Sequence, residues 1–229
     1  MIEEGQAADQ NGDSAAAADD QKKKKSSFWK ELPILLGVAI VVALLVRTFV
    51  IQTYYIPSGS MENTLQLNDR VLANKLVYHF SEPSRGDVVV FEAPVSWRSN
   101  LDDKDFIKRI IAVGGDHIQC CDDQGRILVN GLPLEEDSYL FTDASGATVA
   151  PSADDFDLIV PEGRVWVMGD HRNHSGDSRE RYVRSGGDPY ESTIDIDDVV
   201  GKSFLLYWPL GNFGWMGTPE TYDQVPDPA

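Results

Sequence analysis

Cysteine is almost missing from this chain. Two occur in 229 residues, Cys120 and Cys121, and they are neighbours. Adjacent cysteines can close only a strained ring, so a framework of disulfide staples is excluded. No cysteine spacing suits a structural zinc site. The redox state of the pair stays open. Basic residues are also scarce: 20 Lys and Arg stand against 37 Asp and Glu, a formal net charge of −17. Phosphate binding needs a basic face, so nucleic acid is excluded as a partner. The acidic runs "LDDKDF", "CCDDQG" and "TIDIDDV" read as solvated charge that favours solubility. There is no internal repeat, and only one long hydrophobic run.

That run is Pro33 to Ile51, "PILLGVAIVVALLVRTFVI". About 20 helical residues at ~1.5 Å rise cross a bilayer core of ~30 Å. The length suffices if Arg47 lies near one end and snorkels to the interface. Trp29 and the pair Tyr54-Tyr55 flank the run as interfacial aromatics do. A polar face is lacking, which argues against a buried core helix. Lys22–Lys25 and Lys30 precede the run. The positive-inside rule therefore predicts a cytoplasmic N-terminus, one membrane pass and an extracytoplasmic remainder. Residues 1–27, polar and low in complexity, are expected to form a disordered cytoplasmic tail. They do not read as a cleavable signal sequence, because no small-x-small site follows the apolar run. The anchor is placed at residues 28–51.

Beyond it, short segments rich in β-branched and aromatic residues alternate with Gly, Pro, Asn and Asp. "DRVLANKLVY", "GDVVVFEAP", "FIKRIIAV", "DHIQC", "RILVNGLPL", "RVWVMGD" and "SFLLYW" read as strands. The expected fold is all-β, with antiparallel sheets forming a partly barrel-like domain over residues 52–215. Residues 118–160 look like an inserted, smaller β-subdomain, and residues 216–229 like a flexible tail.

Four histidines could support chemistry: His79, His117, His171 and His174. His171-x-x-His174 lies beside Asp170 and Asp177 in "GDHRNHSGDSR", so a Ser-His-Asp arrangement is open. Two histidines three apart in a loop nevertheless read first as surface histidines. Another pairing is Ser58-Gly59-Ser60 with Lys108. Serines beside glycine usually make a plain turn. Strand alternation sends Phe106 and Lys108 to one face of "FIKRIIAV", Ile107 and Arg109 to the other. With apolar residues on both faces, one of the two cations meets a poorly hydrated place. Desolvation of that kind turns a lysine into a usable base, and a serine nucleophile with a lysine base is a known variant of triad chemistry. Spacing alone favours an ordinary snorkelling lysine.

The blocks "IPSGSMENTL", "NDRVLANKLVY", "RGDVVVFEAP", "FIKRIIAVGGD" and "GDHRNHSGDSR" follow an apolar span in that order. In this the chain resembles the type I signal peptidases, membrane-bound serine endopeptidases of peptidase family S26 that remove signal peptides from exported proteins. The resemblance runs from Phe28 to Pro209. It implies that Ser60 is the nucleophile and Lys108 its general base. It implies an oxyanion hole of the Ser58 hydroxyl and the Ser60 N–H. Ser175 then orients the lysine, Asp177 and Arg179 form a structural ion pair, and Arg109 lies close to it. Asp170 and Arg172 are left as scaffold. Substrates with small residues at −1 and −3 would meet Tyr54, Ile56, Pro57, Met61, Leu65, Val90, Phe106 and Ile107. The resemblance implies no metal and no cofactor. The partners it implies are signal peptides of secreted preproteins and the bilayer, with the secretion translocase as a further candidate.

The chain departs from the family pattern in two places. Asn63 stands where proline is common, and His171 and His174 stand where asparagine is usual. Loss of Ser60 or Lys108 would have pointed to a tethered partner-binding domain without catalysis, and both are intact. A self-cleaving regulator would need a DNA-binding helix pair, which the residues before the span cannot form. At ~3.3 Å per residue, nine steps from Ile51 to Ser60 reach at most about 30 Å, so the nucleophile is tethered near a membrane face.

Overall fold

The structure, a computed structural model, describes residues 13–228. The disorder expected of residues 1–12 lies outside the described residues. Helix α1 (Asp13–Phe49) carries the apolar run, and its stretch Glu31–Phe49 is long and apolar enough to cross a membrane. The helix begins well before the run, which corrects the expected disorder for residues 13–27. Alanines at 15–18 and lysines at 22–25 are good helix formers, and a helix satisfies its own backbone without a buried face. Residues up to Thr48 and from Phe49 onward form two separate compact units.

The second unit is built on two antiparallel sheets. Strands β1 (Ile51–Tyr55), β2 (Arg70–Asn74), β3 (Val88–Glu92) and β4 (Asp105–Val113) belong to the larger. So do β9 (Arg164–Met168), β10 (Ile194–Asp195), β11 (Val199–Trp208) and β12 (Gly214–Trp215). Its order is β1-β2-β11-β3-β4-β9-β10, with β12 also on β11. The end strands β1 and β10 do not pair with each other, so the sheet is open. This corrects the barrel-like expectation: closure needs a strand on the outer edge of β1, and none of the described strands takes it.

The smaller sheet comprises β5 (His117–Cys120), β6 (Ile127–Val129), β7 (Leu132–Pro133) and β8 (Phe156–Ile159), in the order β7-β6-β5-β8. Apart from His117, the first residue of β5, all four strands lie in the stretch 118–160 read as an insert. Cys120, the last residue of β5, and Cys121 are joined as a disulfide. Two short helices, α2 (Ser178–Arg184) and α3 (Pro189–Ser192), complete the unit.

Strand alternation divides the core. Val89 and Phe91 pack with Trp97, Ile110, Val165 and Val167, while Val88 packs with Ile56, Met61, Leu65, Val71 and Leu206. A third cluster joins the smaller sheet to β4 and β9 through Ile118, Val129, Leu140, Phe156 and Trp166. Tyr222 and Val225 belong to it as well. The expectation of a loose tail over residues 216–229 is therefore corrected. The Tyr222 hydroxyl bonds the Tyr139 hydroxyl at 2.7 Å, and the rings stack. An amphipathic ring with a hydroxyl partner anchors a segment that lacks any apolar periodicity.

Candidate active site

The Ser60 turn hangs between β1 and β2 and is closed at its base. Ile56 N–H donates to Asp69 O, and Asn68 N–H donates to Ile56 O, both at 2.9 Å. Inside the loop Leu65 N–H reaches back to Met61 O at 2.7 Å. Met61 and Leu65 are fully buried and pin the turn to the core. A Cβ at Gly59 would meet the Glu62 carboxylate at 2.8 Å, a contact that the flexible Glu62 side chain could relieve by turning aside. Asn63 has φ +84°, in the left-handed region that asparagine tolerates and proline cannot enter.

Lys108 comes from the opposite side of the site, on β4. Its cross-strand partner is Val89, and Phe106 shares its face with the ammonium 5.7 Å from the ring centroid. Lys108 is buried, and its Nζ donates to Ser60 Oγ at 2.7 Å and to Ile107 O at 3.0 Å. Burial lowers its pKa to about 8, against a smaller opposing pull from Asp177 and Asp170. Ser58 Oγ lies 3.4 Å from Ser60 Oγ. A buried serine, a hydrogen-bonded amine of lowered basicity and a neighbouring hydroxyl can together perform acyl transfer.

Behind the pair stands a chain of buried ions. Asp177 caps α2, accepts from Gly169 N–H at 3.0 Å, and pairs with Arg179 at 2.8 Å. Burial pushes its carboxyl up, but the Arg179 charge and these hydrogen bonds outweigh burial and hold it below the usual range. Arg109, on the other face of β4, pairs with Asp170 at 2.7 Å rather than with Asp177. Arg172 grips Glu136 at 2.6 Å and 3.1 Å. Glu136 lies in the stretch read as an insert, so that stretch supports the wall of the site. Nothing in the sequence paired Glu136 with Arg172, because 36 residues separate them.

Ser175 is close to the pair: a Cβ on Gly169 would overlap both its side chain and the Ser60 carbonyl. Its hydroxyl is buried and makes no bond of good geometry. No bond from Ser175 to Lys108 is present; its hydroxyl instead helps hold down the Asp177 carboxyl, while Lys108 Nζ also donates to Ile107 O.

A cavity of about 480 Å³ opens in front of Ser60 and Lys108. Tyr54, Ile56, Pro57, Val90, Phe106 and Ile107 line it, together with the exposed Ser58 and His174. Met61 and Leu65 do not reach it. They are core residues behind the turn, which corrects their assignment to the substrate wall. The loop after β9 also brings His171 and His174 to Glu62, with His171 Nδ1 at 3.0 Å from Glu62 Oε2. Glu62 was not legible as their neighbour, being 109 positions from His171.

Comparison with known proteins bears on this site. The model of the family described as signal peptidase, peptidase S26, matches residues 29–208. A signal peptidase I of Mycobacterium tuberculosis (strain CDC 1551 / Oshkosh) is 37% identical over 245 residues, covering 90% of this chain and 82% of the relative. A signal peptidase I of Leptolyngbya laminosa is 35% identical over 193 residues, covering 82% and 83%. The matched span holds the Ser60 turn, β4 with Lys108, and the loop that carries Asp177, and on this ground the chain belongs to the signal peptidase family, peptidase S26.

Proposed function

We propose that Ser60 and Lys108 are the catalytic dyad of this chain, a serine endopeptidase of the signal peptidase I type that cleaves signal peptides. The observation that carries the assignment is the 2.7 Å contact between Lys108 Nζ and Ser60 Oγ inside a buried site. The neutral lysine takes the Ser60 proton as Oγ attacks the scissile carbonyl, and the ammonium then returns it to the leaving amine. Ser58 Oγ and the Ser60 N–H stabilise the oxyanion that develops. Water then hydrolyses the acyl-enzyme with Lys108 again as base. The ion pairs Asp177–Arg179 and Arg109–Asp170 keep the loop after β9 and the face of β4 in place.

The cavity suits an extended substrate. Among the described residues β1 pairs only with β2, and β4 meets β9 only from Arg109 onward. The edges of Ile51–Tyr55 and Asp105–Lys108 are thus free to hydrogen-bond a peptide backbone. The bulky walls Ile56, Val90 and Ile107 leave room for a methyl and exclude larger side chains. α1 serves as a single-pass anchor, with Lys22–Lys25 on the cytoplasmic side and the residues after Ile51 outside the membrane, where the tether to Ser60 keeps it at the bilayer surface. Residues 52–215 then act as the catalytic domain.

The test is cleavage of one purified preprotein in lipid or detergent by wild type and Ser60→Ala. Cleavage after a small residue by the wild type, abolished in the variant, is expected. Turnover by Ser60→Ala would overturn the assignment.

A further inference from the structure

Three side chains outside the dyad come together beside the Ser60 turn. Glu62, His171 and His174 each offer one donor atom, and these atoms lie within 4.8 Å of one another. Glu62 Oε2 and His171 Nδ1 are already 3.0 Å apart. Donors around a tetrahedral zinc-type ion, bound at ~2.0–2.1 Å, stand about 3.3 Å apart. The first pair already stands at about that spacing, and the ion would take the place of the hydrogen bond between them. His174 is exposed and free to close the remaining gap. The His171 ring is held flat against Phe141, with centroids 3.9 Å apart, and edge-on to His174. The backbone of the same turn is fixed by His174 N–H donating to His171 O at 2.8 Å.

We propose that Glu62, His171 and His174 form a binding site for a zinc-type divalent cation, and that filling it slows peptide cleavage. Two imidazoles and one carboxylate suit Zn²⁺, Ni²⁺ or Cu²⁺. They do not suit Mg²⁺ or Ca²⁺, which need oxygen cages. Three protein donors leave one coordination position for water.

The coupling to cleavage follows from where the donors sit. Glu62 is two residues past the nucleophile, and its carboxylate packs over Gly59. His171 N–H donates to the Ser60 carbonyl at 3.1 Å. The exposed His174 lines the cavity. An ion that draws Glu62 and His174 together shifts the turn carrying Ser60, and places charge and a bound water at the mouth of the cleft. Neither Ser60 nor Lys108 is among the donors. The ion is a brake on the reaction, not a participant in it.

The experiment uses the full chain in detergent, without a histidine tag, stripped with a chelator and then desalted. Zinc binding is measured by calorimetry and by metal analysis after gel filtration. Wild type and Ser60→Ala should each bind about one zinc per chain at this His₂Glu set. The double variant His171→Asn with His174→Asn should bind at least about tenfold more weakly, with an unchanged circular dichroism spectrum. Zinc should inhibit wild-type cleavage with the same midpoint as binding, and excess Mg²⁺ should not compete. In the double variant the inhibition midpoint, relative to its own zinc-free rate, should rise by the same factor. Equal zinc affinity in wild type and double variant would overturn the site. Binding without inhibition would overturn the coupling while leaving the site. The binding arm does not depend on the proposed catalytic roles, because it is read on Ser60→Ala as well.

Discussion

Lys108 Nζ donates to Ser60 Oγ at 2.7 Å across 48 residues of sequence. The contact joins a loop held by Met61 and Leu65 to the middle of β4, so neither partner can leave without unpacking core. Ser60→Ala and Lys108→Ala are each expected to abolish preprotein cleavage while keeping the fold. Lys108→Arg should be equally inactive, since a guanidinium cannot give up its proton. The check is single-turnover cleavage with circular dichroism on the same samples. The double variant should be no worse than either single one, because the two residues act as a unit.

The proposed role of Ser58 as an oxyanion donor rests on its Oγ lying 3.4 Å from Ser60 Oγ. Ser58→Ala should lower kcat by on the order of 10²-fold and leave KM within a few-fold. Steady-state kinetics on a preprotein separates the two constants. A change in KM alone would assign Ser58 to ground-state binding.

The pH dependence follows from Lys108, whose pKa burial lowers to about 8. The base must be neutral, so kcat/KM should fall about tenfold per pH unit below that value. The same group acts on stability in a definite direction. Between the folded value near 8 and the ordinary value of 10.5, the unfolded chain binds more proton than the folded one. Stability therefore rises with pH across that window. Below it both states are protonated, and the cost of the buried ammonium is constant. Lys108→Met should remove this slope. Denaturant midpoints at pH 7, 9 and 10.5 for the two proteins are the measurement. A wild-type slope that persists in Lys108→Met would assign it to other groups.

The strand content of the second unit was legible because β3, β4, β9 and β11 are apolar on both faces or alternate cleanly. β1 was not, because Tyr54-Tyr55 beside an apolar run reads as an interfacial flank, and only pairing with β2 makes Ile51–Tyr55 a strand. The helical start at Asp13 was hidden by low complexity, a poor guide where alanine and lysine abound. Ser60 and Lys108 could be joined only through resemblance, since local spacing does not show which strand faces which turn. The same limit hid Glu62 beside His171 and Glu136 beside Arg172. Met61 and Leu65 looked like wall and are core, because a tight turn presents its serine outward by burying the apolar residues that follow.

Tyr222 tests the corrected end of the chain. Its ring is buried against the cluster of the smaller sheet, and its hydroxyl meets Tyr139, which in turn donates to Glu136 at 2.5 Å. Tyr222→Ala should cost about 3–5 kcal/mol, as other buried aromatic truncations do. Tyr222→Phe should cost only about 1 kcal/mol, because Tyr139 keeps Glu136 as a partner. Urea midpoints at constant m-value read both. A wild-type midpoint for Tyr222→Ala would restore the loose tail.

Asn63 carries the sharpest local test of the turn behind the nucleophile. Its φ of +84° is closed to proline, whose ring fixes φ near −65°. Replacing Asn63 with proline should therefore not tighten this turn. It should destabilise the chain by more than about 1 kcal/mol and lower kcat, since Ser60 lies three residues before it. Asn63→Gly should keep both stability and activity near wild type, because glycine enters the left-handed region without strain. Thermal melts and preprotein cleavage of the two variants decide it. If Asn63→Pro were as stable and active as the wild type, the left-handed turn would be wrong, and with it the path that brings Glu62 over Gly59.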